Sequence, residues 1–171
     1  EFFPMNGADD LQHLSVLTQA IFQKESGERY PFVLRCRLTG VLAGYTHLYN
    51  IDLPNHKLEA GTWIHPDYWG SSANLESKLL LLRYCFANLK MLRVQFKTAP
   101  NNLRSRKALE KLGASFEGIL RNDRVLTNGE SRDSAVYSII AEEWPAIEKQ
   151  LISQIVQLQQ PQNFTFFQAF L

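Results

Sequence analysis

The chain has 171 residues, 45% hydrophobic and 20% charged, which suits one domain and excludes a chain disordered throughout. Lys+Arg 18 against Asp+Glu 17 leaves a formal charge of +1, so nothing in the overall charge points to nucleic acid or an acidic membrane as partner. Gly (9) and Pro (7) are too sparse for a collagen-like or low-complexity chain.

Residues 9–24 read as an amphipathic helix, with Leu11, Leu14, Leu17 and Ile21 at helical spacing and Asp9 and Asp10 at its start. Gly27 and Pro31 punctuate. Residues 32–38 alternate, placing Phe32, Leu34, Cys36 and Leu38 on one face and Arg35 and Arg37 on the other, as in a half-buried strand. Thr39-Gly40 turns the chain into a second strand over 41–51, which Pro54-Asn55 ends. A third strand, Lys57–Ile64, puts Leu58, Ala60, Thr62 and Ile64 on one face and Glu59, Gly61 and Trp63 on the other.

His65-Pro66 stops that strand. A short loop over 67–72 leads into a helix of about four turns ending near Leu89. It is apolar almost all round, the mark of a helix at the centre of its domain. Strand Arg93–Thr98 is two-faced, Ala99-Pro100-Asn101 breaks it, and helix Leu103–Leu112 ends at Gly113. Strands over 115–126 and 132–140 flank Asn128-Gly129, a strong hairpin signal. A last helix carries Trp144, Ile147, Leu151, Ile155 and Leu158 on one stripe, with Pro145 tolerated in its first turn. The order α-β-β-β-α-β-α-β-β-α predicts a single α/β domain with a mixed sheet and helices on its faces.

Cys36 and Cys85 lie in apolar patterns and read as small core residues. No CxxC or HExxH spacing suggests a metal site. The longest apolar run, Leu79–Leu82, is too short to cross a bilayer, and no stretch reads as a signal peptide. A reduced, cytoplasmic protein without a membrane partner is the expectation. The tail, residues 162–171, has four Phe and no charge. Burial of its side chains does not offset the entropy of ordering it, so the expectation is a strand added to a sheet edge, in this chain or in a homodimer partner; the alternative is a frayed end.

The stretch from Pro66 to Glu76 (PDYWGSSANLE) takes the chain from a strand end through small residues into the buried helix. Such a start presents unpaired amides and the positive end of the helix dipole, which suit a pyrophosphate; an ordinary N-cap is the alternative. Asn102-Leu103-Arg104-Ser105 opens the next helix, where Asn102 is also a plain capping residue. The two starts follow strands that flank one helix, so they fall at the same end of a parallel pair.

The segments Leu58–Ile64, Gly70 through Leu82, Arg93–Thr98, Asn102-x-x-Ser105, Leu109-Glu110-Lys111-Leu112-Gly113-Ala114, Glu117-Gly118-x-Leu120-Arg121, Arg132-Asp133 and Glu143-Trp144 resemble, in this order, the GCN5-related N-acetyltransferase (GNAT) superfamily. The resemblance is to the branch holding ribosomal-protein N-terminal acetyltransferases. It implies a mostly antiparallel sheet splayed between the Leu58–Ile64 and Arg93–Thr98 strands, with acetyl-CoA as co-substrate and no metal. Main-chain groups of Trp63 and Ile64 would pair with the pantetheine arm. Amides of Gly70, Ser71, Ser72, Ala73 and Asn74 would hold the pyrophosphate, and Asn102 and Ser105 would lie beside the pantetheine and the sulfur.

The family's phosphate loop reads Gln/Arg-x-x-Gly-x-Gly/Ala; this chain has Trp69, Ser72 and Asn74 at those three places. Ser72 would be strained if its φ were positive. The family's first strand and helix, ahead of the 9–24 helix, are expected to be missing.

Acyl transfer to an amine needs a proton acceptor, an oxyanion donor and a hydrogen-bond donor for the departing thiolate. Glu59 is the candidate base, with a solvent-facing carboxylate as the alternative. A main-chain N–H of the Leu58–Ile64 strand is the candidate oxyanion donor, and by resemblance Ser105 serves the sulfur. His47, between Tyr45 and Tyr49, is read as lining the acceptor pocket or as structural. Arg124 and Arg121 read as surface ion pairs or as attractors of an acidic acceptor. The expected function is transfer of acetyl to a primary amine, with a protein or peptide N-terminus as acceptor. The alternatives are a small-molecule amine acceptor and a CoA-binding module without catalysis.

Overall fold

The computed structural model describes residues 29–36, 40–158 and 167–169. Among these residues seven strands form one sheet: β1 (Arg29–Cys36), β2 (Leu42–Asp52), β3 (Lys57–Ile64), β4 (Arg93–Thr98), β5 (Ser115–Val125), β6 (Ser131–Ile140) and β7 (Phe167–Ala169). The helices are α1 (Ala73–Arg83), α2 (Leu103–Leu112) and α3 (Trp144–Leu158). The strand order is β5-β6-β4-β3-β2-β1-β7. Among the described residues only β3 and β4 run parallel; every other neighbouring pair is antiparallel. The helix expected over 9–24 lies outside the described residues.

Alternation fixes which side of each strand is buried. Phe32, Leu48, Leu58, Ala60, Val94, Phe96, Ala135, Tyr137 and Ile139 share one core with Leu75, Leu81 and Leu82 of α1, Leu109 and Leu112 of α2, and the α3 stripe Trp144, Ile147, Leu151 and Ile155. The three described helices therefore cover one face of the sheet. The other face carries Tyr45, His47, Tyr49, Glu59, Gly61 and Trp63.

Local chemistry departs from the expected pattern at two places. The central helix is α only to Arg83; Tyr84–Asn88 form a π turn, closed by Leu89 N donating to Tyr84 O at 3.0 Å. The Asn128-Gly129 hairpin is not a two-residue turn: Gly129 has φ +83 and Asn128 is not among the positive-φ residues, while Leu126 N donates to Glu130 O. A wider loop with one left-handed glycine results. At the tail, β7 pairs antiparallel with β1 (Leu34 opposite Ala169, Cys36 opposite Phe167), so this chain's own tail takes that edge.

Candidate active site

The parallel pair is short. Lys57, Leu58 and Glu59 face Arg93, Val94 and Gln95, and the pairing stops there. Beyond it β3 stays paired with β2 out to Ile64, and β4 with β6 out to Thr98. The sheet therefore parts in its middle, between Ala60–Ile64 and Phe96–Thr98. A cavity of about 100 Å³ lies in the opening, lined by Thr62 of β3, Asn74 and Lys78 of α1, Phe96 of β4, and Ser105 and Ala108 of α2, among others. Asn74 and Ser105, placed in the site by resemblance, meet in one cavity.

The loop before α1 is built for close approach. Gly70 has φ +79, a left-handed backbone that glycine adopts without strain, and a Cβ there would touch nothing within 4 Å. Ser72 has φ −69 and ψ −11, so replacing the family's glycine with serine brings no backbone strain here. Its side chain is buried and makes no capping bond. Ser71 does the capping: its Oγ accepts from Ala73 N at 3.2 Å and donates to Tyr68 O at 2.6 Å. The first backbone bond into the helix runs from Glu76 N to Ser72 O, so the amides of Asn74 and Leu75 point out of the helix start. Of the expected pyrophosphate amides, those of Ser71, which donates to Tyr68 O at 3.3 Å, and Ala73 are thus already engaged.

At α2, Asn102 Oδ1 accepts from Ser105 N at 3.1 Å, so Asn102 is the cap of its helix and does not line the cavity. Trp69 joins the two helix starts. Its Nε1 donates to Ile64 O at 2.9 Å, and the Arg104 guanidinium lies 3.5 Å from its ring centroid. The expectation for Trp63 and Ile64 narrows accordingly. The Trp63 carbonyl faces β2, 2.2 Å from where a Cβ on Gly44 would sit, and the Ile64 carbonyl is taken by Trp69. Backbone alternation turns the main chain of Thr62, the residue before Trp63, towards the gap.

Glu59 stands at the last paired position, where the strands begin to part. It is not solvent-facing: 2% of it is exposed. Its carboxylate accepts from Tyr49 Oη and from Asn50 Nδ2 (3.1 Å), and Arg124 Nη2 lies 3.7 Å away. Two strand irregularities deliver these partners. A register shift between Tyr49 and Asp52, with Asn50 at φ +49, swings Asn50 inward; another between Leu120 and Arg124, with Asn122 at φ +51, bends β5 across the sheet. Burial and the Glu59 charge push the Tyr49 hydroxyl well above its ordinary range.

His47 packs against Gly61; a Cβ there would fall 2.6 Å from the imidazole. Burial first, then repulsion by Arg29, Lys78 and Arg124, lowers its pKa to about 4, so it is neutral at neutral pH. The rings of Trp63, Tyr45, His47 and Tyr49 form a row along this face.

Lys78 is the residue that pattern reading missed. It lies in a helix read as apolar almost all round, yet its side chain enters the cavity, 5% exposed. Nζ donates to Thr62 Oγ1 at 2.6 Å and sits 4.9 Å from the Phe96 ring centroid, spanning the gap between the parted strands. The signal available was its place four residues after Asn74, on the same helix face.

Among the described residues, no group of His, Cys, Asp and Glu is arranged to hold a metal ion, and no helix is long and apolar enough to cross a membrane.

A family profile described as an acetyltransferase (GNAT) domain matches residues 2–115. "Putative ribosomal N-acetyltransferase YdaF" of Bacillus subtilis (strain 168) is 34% identical over 105 residues, 61% of this chain and 57% of that protein. The chain thus matches less than two thirds of that relative's length. A crystal structure of a "putative acetyltransferase" from T. thermophilus shares 40% identity, covering 78% of this chain and 71% of that one, with TM-score 0.72. A GCN5-related N-acetyltransferase from Brucella melitensis superposes with TM-score 0.78 and 29% identity, covering 95% of this chain and 71% of that one. With its sheet parted between β3 and β4 and the profile spanning most of its sequence, the chain belongs to the GNAT acetyltransferase family.

Proposed function

We propose that the protein is an acetyl-CoA-dependent N-acetyltransferase whose acceptor is the α-amine of a protein or peptide N-terminus. The observation that carries the reading is the parting of β3 from β4 after Glu59, with Asn74 and Ser105 lining one cavity in the opening. The donor set fits acetyl-CoA: the outward amides of Asn74 and Leu75 and the left-handed Gly70 suit a pyrophosphate. The gap-facing main chain of Thr62 suits an extended arm. Acetyl-CoA supplies the activated acetyl group. Ser105 donates a hydrogen bond to the sulfur, and a gap-facing amide of β3 donates to the carbonyl oxygen.

The open face argues for the acceptor. At neutral pH an α-amine, with pKa roughly 7.7–8.0, is already neutral in about a tenth of molecules, whereas a lysine-like amine near 10.4 is neutral in fewer than about one in a thousand. Among the described residues the face offers no strong proton acceptor with open access. His47 is a weak base at about 4, and Glu59 is held by Tyr49, Asn50 and Arg124. An amine that needs little deprotonation matches such a site. Glu59 takes the proton through Tyr49, whose hydroxyl points at it. The similarity to a protein named for ribosomal acetylation supports the same class of acceptor.

The test is thiol release from acetyl-CoA with a panel of short peptides, spermidine-like polyamines and aminoglycosides. Turnover on free N-terminal peptides, abolished by blocking the α-amine, is expected. Turnover only on small amines moves the acceptor to that class; CoA binding without turnover on any amine leaves a binding module.

A further inference from the structure

Resting on the transferase reading above, we infer that Lys78 is a catalytic acid: its ammonium, standing in the opening between β3 and β4, protonates the CoA sulfur as the thioester breaks.

The hydrogen-bond directions require it to be a donor. Thr46 Oγ1 donates to the Gly61 carbonyl at 2.8 Å and so has no second proton for Thr62. Thr62 Oγ1, 2.7 Å from Thr46 Oγ1, must therefore donate to it and accept from Lys78 Nζ. An ammonium carries three protons, and this chain of bonds uses one. Among the described residues the other two have no acceptor.

Among the described residues no counter-ion meets the charge. Among the described residues, those that share its hydrogen-bond chain, line its cavity or interact with its charge are Cys85 in the π turn after α1, Thr46 and His47 of β2, Thr62 of β3, Phe96 and Lys97 of β4, and Ser105, Ala108, Leu109 and Leu112 of α2. Cys85 is held neutral by burial, its pKa raised to about 12, and His47 is neutral as described. Lys97 is engaged with Asp123 Oδ1 at 2.8 Å. A buried, unpaired cation is unfavourable for stability, which is the usual signature of a group kept for chemistry. Burial lowers the Lys78 pKa to about 8, close to that of an ordinary thiol, near 8.5, so proton exchange between the two is nearly balanced.

The step balances. The neutral amine nitrogen bonds to the carbonyl carbon, the carbon–sulfur bond breaks, and its electron pair goes to sulfur. Sulfur takes a proton from Lys78 Nζ and leaves as the thiol. The surplus proton on nitrogen passes to the open face, and Lys78 regains its own from solvent. Ser105 contributes a hydrogen bond in this scheme and Lys78 the proton.

The test needs no acceptor. Ultraviolet thiolate absorbance of bound CoA is titrated with pH on the wild type and on K78M and K78Q, with binding of CoA and desulfo-CoA measured in parallel. The wild type should lower the pKa of the bound thiol by about one unit or more and prefer CoA to desulfo-CoA roughly tenfold near pH 8. Both effects should vanish in K78M and K78Q while desulfo-CoA affinity stays within about threefold. The variants should melt at or above the wild-type temperature, since an unpaired buried charge is gone, yet lose roughly 100-fold in kcat. A bound thiol that ionises as it does in free CoA, or variants that lose stability and kcat together, would overturn the assignment to Lys78. Failure of the wild type to bind either ligand would instead overturn the CoA reading on which it rests.

Discussion

The guanidinium of Arg104, at the start of α2, stacks 3.5 Å above the indole of Trp69, in the loop that leads to α1. The same indole is bonded to Ile64 O at the end of β3. One aromatic side chain therefore ties together the three segments around the proposed phosphate site, where the family pattern has Gln or Arg. A cation–π contact at an exposed site contributes roughly 0.5–1 kcal/mol and a neutral hydrogen bond about 1 kcal/mol. Trp69→Ala should weaken acetyl-CoA binding by about 5–30-fold in calorimetry with kcat at saturation nearly unchanged. A fall in kcat without loss of affinity would place Trp69 in the chemistry instead.

Ser105 lines the cavity while its backbone amide is held by Asn102. Removing its hydroxyl leaves the helix cap in place, so Ser105→Ala should lower kcat by about 10-fold or more with acetyl-CoA affinity changed less than about threefold. Steady-state kinetics beside direct binding measures both. An unchanged kcat removes Ser105 from the mechanism.

Glu59→Gln keeps the size of the side chain and an acceptor for Tyr49 but removes the negative charge between Tyr49 and Arg124. The expected result is a drop of roughly 100-fold in kcat, a flattened rise of rate towards alkaline pH, and little change in acetyl-CoA affinity. A rate and pH profile matching the wild type would exclude Glu59 as proton acceptor.

His47 predicts a pH dependence of stability. Its folded-state pKa is about 4 against an ordinary 6.5. Between those values the unfolded chain binds the extra proton and the folded one does not, so stability present above pH 6.5 is lost as pH falls towards 4. Roughly 3 kcal/mol is at stake. Urea unfolding at intervals between those pH values should show a steeper loss for the wild type than for His47→Gln. Parallel curves would mean that His47 is solvated.

Much of the fold was legible because alternation and punctuation are local. β3 and β4 fall at the residues their alternation gives, and α2 starts at its Asn102 cap and ends at Gly113. The extra strand on β1 was foreseeable from an aromatic tail too short to hold itself by packing. What stayed hidden depends on contacts between distant segments. Nothing near Glu59 announces that β5, more than fifty residues on, bends at Asn122 to set Arg124 beside it. The same is true of Lys78, whose surroundings come from β2, β3, β4 and α2. Read within its own helix it is one polar residue in an apolar run, and only the parting of the strands turns it into a charge in a cavity.

Every step of the proposed reaction requires acyl-CoA to bind in the opening between β3 and β4. Calorimetric titration of acetyl-CoA into the wild type and into Ala108→Trp, which fills the cavity from α2, tests this most directly. Saturable one-to-one binding, competed by free CoA and lost in Ala108→Trp while the variant still unfolds cooperatively, is the predicted result. Equal binding by both proteins, or none by the wild type, would contradict it.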